Sequence, residues 1–235
     1  MRAIFGDDYD PKADNALAVI EYEGDNGYFL MTLTGFTELP DGRTVVAVNG
    51  LPSDENRTDM AAHASPGMLN LYALRREGAG WKVVERHENV ATMGSMGNFG
   101  DVEWVTLGPG KPGLIVTSGG TWFGSSIYEG GIFELGEKVR LLGSYSRGSS
   151  NAGACMPESK DCWDVDGHVR FVDNPQGGPY GDLLVDYEGR HYTVTEGKDG
   201  NQVEHLKSTV KQTARYRFDG KEYGLVSGTN PVPGI

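Results

Sequence analysis

Short apolar runs separated by Gly, Pro and Asp turns recur along the whole of this 235-residue chain. One sequence pattern occurs twice, at Val102–Val116 and again at Val169–Val185. It consists of Val-x-aromatic-Val, a Gly/Pro turn, and then Gly followed by an aliphatic run. Runs of β-branched and aromatic residues on both sides of a Gly-rich turn predict a β-hairpin. Two similar hairpins 67 residues apart (169 minus 102) predict a fold built from a repeated supersecondary unit.

Four further hairpins accompany these two, at residues 29–48, 71–84, 132–142 and 215–226. The first of them has Asp41-Gly42 as its turn signal. Two hairpins make a four-stranded unit, and about three such units cover the chain, at about 17–90, 91–150 and 151–235. We therefore expect one all-β domain over residues 1–235, a β-propeller-like array of four-stranded antiparallel units with little helix.

Composition supports the all-β prediction. The chain contains 35 glycines among its 235 residues, about twice the roughly 7% that is usual, and 11 prolines. No window of 11 to 18 residues keeps apolar side chains at helical spacing. The best helical candidate, Glu196–Thr213, is mostly polar and is interpreted as a loop or a pair of strands.

The charge balance is strongly acidic, with a net charge of −12. Such a field repels nucleic acid and favours a basic protein partner. No apolar stretch reaches the 18 residues needed to span a membrane. Residues 1–8 lack the apolar core of a signal peptide, and we expect that such a peptide was removed from a secreted or periplasmic protein.

The two cysteines, Cys155 and Cys162, lie seven positions apart in a polar segment. This spacing fits neither a zinc knuckle nor a redox Cys-x-x-Cys motif, and no histidine cluster accompanies it. We interpret the pair as a disulfide that pins a loop, with two free thiols as the alternative. Disulfides persist in oxidising compartments, which agrees with secretion or a periplasmic location.

One part of the chain resembles a known repeat. Its residues are Phe171-Val172-Asp173, Gly177-Gly178 and Asp182-Leu183-Leu184-Val185, together with the ending Tyr216–Tyr223. They resemble the FG-GAP/VCBS-type propeller repeat, in which an Asp-rich loop often binds calcium. The resemblance implies Asp173 and Asp182 as ligands, although Pro175 and Gly177 occupy positions where oxygen ligands belong.

Calcium is therefore the one cofactor that we consider, and otherwise we expect none. Asp164 and Asp166 form an Asp-x-Asp-Gly tetrad that resembles a calcium loop but is also a common turn. The weak metal candidates are Asp164, Asp166, Asp173 and Asp182.

No linear catalytic motif is present. The five histidines are scattered, and neither a His-Glu-x-x-His helix nor a Gly-x-Ser-x-Gly elbow occurs. We expect no catalytic residues and no enzyme activity. The alternative is a carbohydrate-active or other hydrolase whose carboxylates come from separate units, with Asp101, Glu103, Asp164 and Asp173 as candidates.

Two segments have the composition of recognition loops, with aromatic or Arg anchors among small polar residues. The first, Gly143–Gly153, supplies the candidates Tyr145, Arg147, Ser149 and Asn151. The second, Thr117–Tyr128, supplies Trp122, Phe123 and Tyr128.

Size, charge and repeat wording make the chain similar to periplasmic lysozyme inhibitors and to immunity proteins that neutralise antibacterial toxins. The resemblance implies a non-catalytic protein that inhibits a basic partner, a toxin or a cell-wall hydrolase, by inserting a surface loop. A calcium-dependent structural or adhesion module is the further alternative to the hydrolase.

Overall fold

The computed structural model describes residues 1–234, and these residues form an all-β protein. Strand accounts for 66% of it and helix for 4%, against the 20–25% strand of an ordinary globular protein. The helical parts are α1 (Arg2–Phe5) and the 3₁₀ turns Gly6–Asp8 and Ala152–Ala154. The prediction of an all-β chain with little helix is confirmed.

The strands form two antiparallel sheets, and in both sheets each strand pairs with its neighbours in sequence. The six-stranded sheet contains β1 (Tyr9–Asp10), β2 (Asn15–Tyr22), β3 (Asp25–Glu38), β4 (Thr44–Ser53), β5 (Gly67–Glu77) and β6 (Gly80–Met93). The eight-stranded sheet contains β7 (Asp101–Gly108), β8 (Lys111–Trp122), β9 (Ser125–Leu135), β10 (Val139–Ser150), β11 (Cys162–Val172), β12 (Asp182–Glu196), β13 (Gln202–Phe218) and β14 (Tyr223–Gly228).

All six predicted hairpins form, as β3–β4, β5–β6, β7–β8, β9–β10, β11–β12 and β13–β14. They are not grouped into separate four-stranded units, and that expectation is wrong. Strand β4 pairs with β5, with Thr44 opposite Leu74, and β10 pairs with β11, with Gly148 opposite Asp166. Since edge strands of neighbouring hairpins satisfy each other's backbone groups, the hairpins merge into continuous sheets.

The chain divides into two compact units, each with its own core. Unit 1 contains residues 1–104 and 136–139, and unit 2 contains residues 105–135 and 140–235. The core of unit 1 includes Phe29, Met31, Met68 and Tyr72. The core of unit 2 is larger and includes Ile115, Ile132, Tyr145, Val185, Tyr187 and Tyr216.

Burial along the strands follows their sequence pattern. Strand β5 is buried on both faces from Gly67 to Leu74, where its sequence is almost continuously apolar. Strand β13 is exposed from Gln202 to Thr209, where polar residues prevail. No helix within residues 1–234 is both long enough and apolar enough to cross a membrane.

Candidate functional site

The first predicted recognition loop, Gly143–Gly153, is mostly strand, because β10 continues to Ser150. Tyr145 is only 3% exposed and its ring lies 5.9 Å from that of Tyr216 in the core of unit 2. Gly130 makes room for it, since a Cβ at Gly130 would lie 2.3 Å from Tyr145 Cζ. The prediction that Tyr145 anchors an exposed loop is therefore wrong.

Ser149 and Asn151 also serve the fold. The Ser149 hydroxyl donates to the Pro233 carbonyl (2.8 Å) and accepts from Trp163 Nε1 (3.0 Å). Asn151 Oδ1 accepts from the Trp163 amide (2.7 Å), and its Nδ2 donates to the Asp161 carbonyl (3.1 Å). Both side chains thus hold the end of the β10–β11 pair, and neither is exposed for recognition.

The second predicted loop is an exposed hairpin rather than an irregular segment. Strands β8 and β9 pair up to Trp122 and Ser125, so only Phe123 and Gly124 form the turn. Their φ angles are 49° and 80°, the pair of positive values that a type I′ turn requires. Phe123 is fully exposed at this turn.

The three aromatic candidates of this hairpin do not share one face. Trp122 lies opposite Ser125, whereas Tyr128 lies opposite Gly119. Side chains alternate between the faces of a strand, so Tyr128, three positions after Ser125, lies on the face opposite to that of Trp122. The structure therefore places Trp122 and Phe123 together at the turn and Tyr128 apart from them. We call Trp122–Ser125 the aromatic turn.

The aromatic turn rests on another part of unit 2. A Cβ at Gly124 would lie 2.4 Å from the carbonyl carbon of Gly153 and 2.6 Å from the Ala154 amide nitrogen. A Cβ at Gly153 would lie 2.9 Å from the Gly124 carbonyl oxygen. The two backbones meet at a distance that only glycines allow.

Gly153 and Ala154 directly precede a loop that a disulfide closes. Cys155 and Cys162 are bonded, with their Cα atoms 5.9 Å apart, which confirms the predicted disulfide. Both cysteines are buried and pack with Tyr192 and Val194 of β12. We call residues 152–162 the disulfide segment.

Polar contacts also hold the disulfide segment against β12 and β13. The Asp161 carboxylate accepts from Lys207 Nζ (2.8 Å) and lies 2.9 Å from His191 Nδ1. These two hydrogen bonds hold the pKa of Asp161 below its usual range. Lys207 Nζ also donates to the Lys160 carbonyl (3.1 Å). The end of the segment next to Cys162 is thereby fixed as well.

The four weak calcium candidates do not come together. Asp182 is fully buried and paired with Arg215 and Arg217. Asp164 and Asp166 are exposed on strand β11, and Asp166 lies 3.6 Å from the remaining recognition candidate, Arg147 Nε. Within residues 1–234, no three His, Cys, Asp or Glu side chains gather as metal ligands. The inferred ligand role of Asp182 is wrong, because arginines occupy its carboxylate.

The hydrolase candidates are divided between the two units. Asp101 and Glu103 belong to the part of β7 in unit 1, and Asp164 and Asp173 belong to unit 2. A cleft of about 490 Å³ in unit 2 is lined by Phe171, Tyr180 and Asp173, among others. Asp173 is the one carboxylate in its described lining, whereas glycoside hydrolysis uses two.

Sequence reasoning missed a second buried carboxylate, Glu134. It accepts hydrogen bonds from Lys111 Nζ (3.0 Å), Tyr180 Oη (2.9 Å) and Arg140 Nε (3.0 Å). Burial raises the pKa of Glu134, but the bonds from Arg140, Lys111 and Tyr180 outweigh it, and the pKa lies below the usual value. The sequence signal was weak, because Glu134 is a single charged position in the short apolar run from Ile132 to Leu135.

The chain matches no protein-family model, no curated protein and no solved structure. The resemblance to FG-GAP/VCBS repeats and to immunity proteins therefore stays a prediction. Among the seven recognition candidates, the structure leaves Trp122 and Phe123 as an exposed pair at a defined turn.

Proposed function

We propose that this is a non-catalytic binding protein that inhibits a partner enzyme by inserting the aromatic turn into a pocket of that partner. The contact residues are Trp122 and Phe123. Large aromatic side chains are the usual anchors of protein interfaces, because each one buries a large apolar area when a partner covers it.

The conformation and exposure of Phe123 carry this proposal. A type I′ turn favours Asn-Gly, and an aromatic residue at positive φ costs roughly 1 to 2 kcal/mol. Full exposure of the ring gives the isolated protein no packing energy in return. A costly residue without a role in the fold is best explained by a role in binding.

The charge of the chain supports a basic partner. At −12 the protein attracts cationic proteins over long range and gains association rate from steering. Enzymes that degrade anionic cell walls are often basic, so a cell-wall hydrolase or an antibacterial toxin is the proposed partner class.

The disulfide supports an oxidising location, secreted or periplasmic, for this encounter. The cleft beside Phe171 and Tyr180 has Asp173 as the one carboxylate of its lining and gives no support for the hydrolase alternative. The open depression lined by Asp164, Asp166 and Glu188 also contains Arg190. A toxin or wall hydrolase delivered into the same compartment would meet the inhibitor there.

The test is binding to, and inhibition of, basic cell-wall hydrolases and toxins, with lysozyme included in the panel. Wild type is compared with Phe123→Asn, which suits the turn but lacks the ring. Phe36→Thr is the control, since Phe36 is also an exposed aromatic residue but lies in strand β3 of unit 1. Binding is measured by calorimetry at two salt concentrations that differ tenfold.

The proposal expects one-to-one inhibition by wild type and by Phe36→Thr, and at least about a tenfold loss of affinity in Phe123→Asn. Equal affinity of Phe123→Asn and wild type would show that Phe123 does not contribute to the interface, which contradicts the proposed role of the aromatic turn. Affinity that falls less than about twofold across the salt series would contradict the electrostatic part.

A further inference from the structure

We propose that the Cys155–Cys162 disulfide holds the aromatic turn in its binding conformation, so that only the oxidised protein is competent to bind. This inference rests on the proposed function for its consequence, but the coupling between disulfide and turn is a property of the fold. It assigns to the disulfide segment a positioning role at the binding surface.

The aromatic turn contacts the disulfide segment directly. Gly124 packs backbone to backbone on Gly153 and Ala154, at distances that no side chain at Gly124 would permit. A two-residue turn at the end of a long hairpin otherwise has few neighbours. The aromatic turn therefore rests on the disulfide segment, and we call Gly153 and Ala154 the seat of the turn.

The disulfide attaches this seat to strand β11. Ala154 immediately precedes Cys155, and Cys162 is the first residue of β11. The 3₁₀ turn Ala152–Ala154 has no side-chain cap of its own. The disulfide ties its end to the sheet, and the packing of both cysteines on Tyr192 and Val194 fixes the position of the bond.

Reduction removes the covalent tie on the C-terminal side of Ala154, where residues 155–161 form a polar stretch that is mostly exposed. The hydrogen bonds of Asn151 to Trp163 and Asp161 still hold its N-terminal side. Local opening of the segment then costs less free energy, and the turn loses its seat whenever the segment opens. A mobile Phe123 must be ordered again on binding, which lowers the affinity.

The test is hydrogen exchange of the peptides that cover residues 118–129 and 150–163, measured without any partner. Samples are the oxidised protein, the protein treated with a reductant, the double variant Cys155→Ser with Cys162→Ser, and Gly153→Ala with the disulfide intact. Gly153→Ala places a methyl group against Gly124 and so separates the seat from the turn. Ala152→Ser, exposed in the same 3₁₀ turn, is the matched control.

We expect about tenfold faster exchange in residues 118–129 on reduction, in the double serine variant and in Gly153→Ala, with no change in Ala152→Ser. Unchanged protection of β5 and β12 shows that each sample is folded. Faster exchange confined to residues 150–163 would overturn the coupling. If exchange in residues 118–129 depends on the disulfide but no protein of the binding panel binds, this inference stands and the proposed function fails. The two failures are therefore distinguishable.

Discussion

Asp182 and Arg217 form a buried ion pair with two parallel hydrogen bonds. Arg217 Nε lies 2.8 Å from one carboxylate oxygen of Asp182, and Nη2 lies 2.7 Å from the other. Arg215 Nη1 adds a third bond at 3.1 Å. This arrangement links β12 to β13 beside the core of unit 2, and it explains why a residue that resembles a calcium ligand has a structural role.

Asp182→Asn should destabilise the protein by about 3 kcal/mol, because it leaves two arginines beside a buried site without a counter-charge. Asp186→Asn is the matched control: Asp186 also pairs with an arginine, Arg170, but its side chain is partly exposed to solvent, so its loss should cost under about 1 kcal/mol. Urea unfolding followed by circular dichroism measures both. A cost for Asp182→Asn no larger than that for Asp186→Asn would contradict the structural role.

Stability should fall as the pH drops below about 4, through Glu134 and Asp182. Hydrogen bonds from Arg217 lower the pKa of Asp182, and the pKa of Glu134 is also lowered. A carboxyl whose folded pKa is depressed contributes stability above its unfolded pKa and loses it as the pH falls through the folded pKa. Urea midpoints at pH 6, 4 and 3 measure this loss.

The Glu134→Gln variant should make that pH dependence shallower, since it removes one of the carboxylates with a lowered pKa that bind protons on unfolding. Glu137→Gln, at an exposed position outside the network, is the control and should keep the wild-type slope. A wild-type slope in Glu134→Gln would show that other groups govern the acid transition.

Calcium should have little effect on the protein. Asp182 is occupied by arginines, and Asp164 and Asp166 line an open depression that Arg190 also lines. Calcium needs six to eight oxygen ligands, which the described residues do not bring together. We expect melting temperatures within about 1 °C in 1 mM calcium and in excess chelator. A rise of several degrees with calcium would restore the adhesion-module alternative.

Phe123→Asn should stabilise the isolated protein by about 1 kcal/mol, even though it weakens the proposed binding. Asn adopts positive φ more readily than Phe and is preferred before Gly in a type I′ turn. Differential scanning calorimetry should show a melting temperature about 2 °C higher. A lower melting temperature would mean that the Phe123 ring stabilises the fold, which contradicts the basis of the proposed function.

Gly130→Ala should destabilise unit 2 by about 2 kcal/mol, because the new methyl group overlaps the buried Tyr145 ring. Gly224→Ala is the control, since a Cβ there meets nothing within 4 Å and its φ is not positive. Chemical denaturation compares the two. Equal stability of both variants would show that Tyr145 can move aside and is not fixed in the core.

Local pattern predicted much of the strand content. The turn signal Asp41-Gly42 and the repeated wording at Val102–Val116 and Val169–Val185 each identified a hairpin that forms. A hairpin depends on neighbouring residues and on its own turn, so its information lies within a short window. The same holds for Cys155 and Cys162, which are the two cysteines of the chain and lie close in sequence.

The Gly143–Gly153 segment shows where local pattern failed. Its small polar residues resemble a loop, yet Tyr145 fills a space opened by Gly130, and Ser149 bonds Pro233, 84 residues later. Such partners are distant in sequence, and no local feature of the segment predicts them. The part of β10 beyond Leu142 is therefore a consequence of tertiary packing rather than of its own propensity.

The sequence by itself determined that the chain would be all-β, hairpin by hairpin, and that its two cysteines would pair, because turn chemistry and short-range spacing decide these features. Only the tertiary structure decided that the hairpins merge into sheets of six and eight strands, that Asp182 pairs with Arg217, and that Gly124 rests on Gly153. Each of these depends on groups far apart in the chain that meet only in the folded protein, where close packing and the need to pair buried polar groups select the partners.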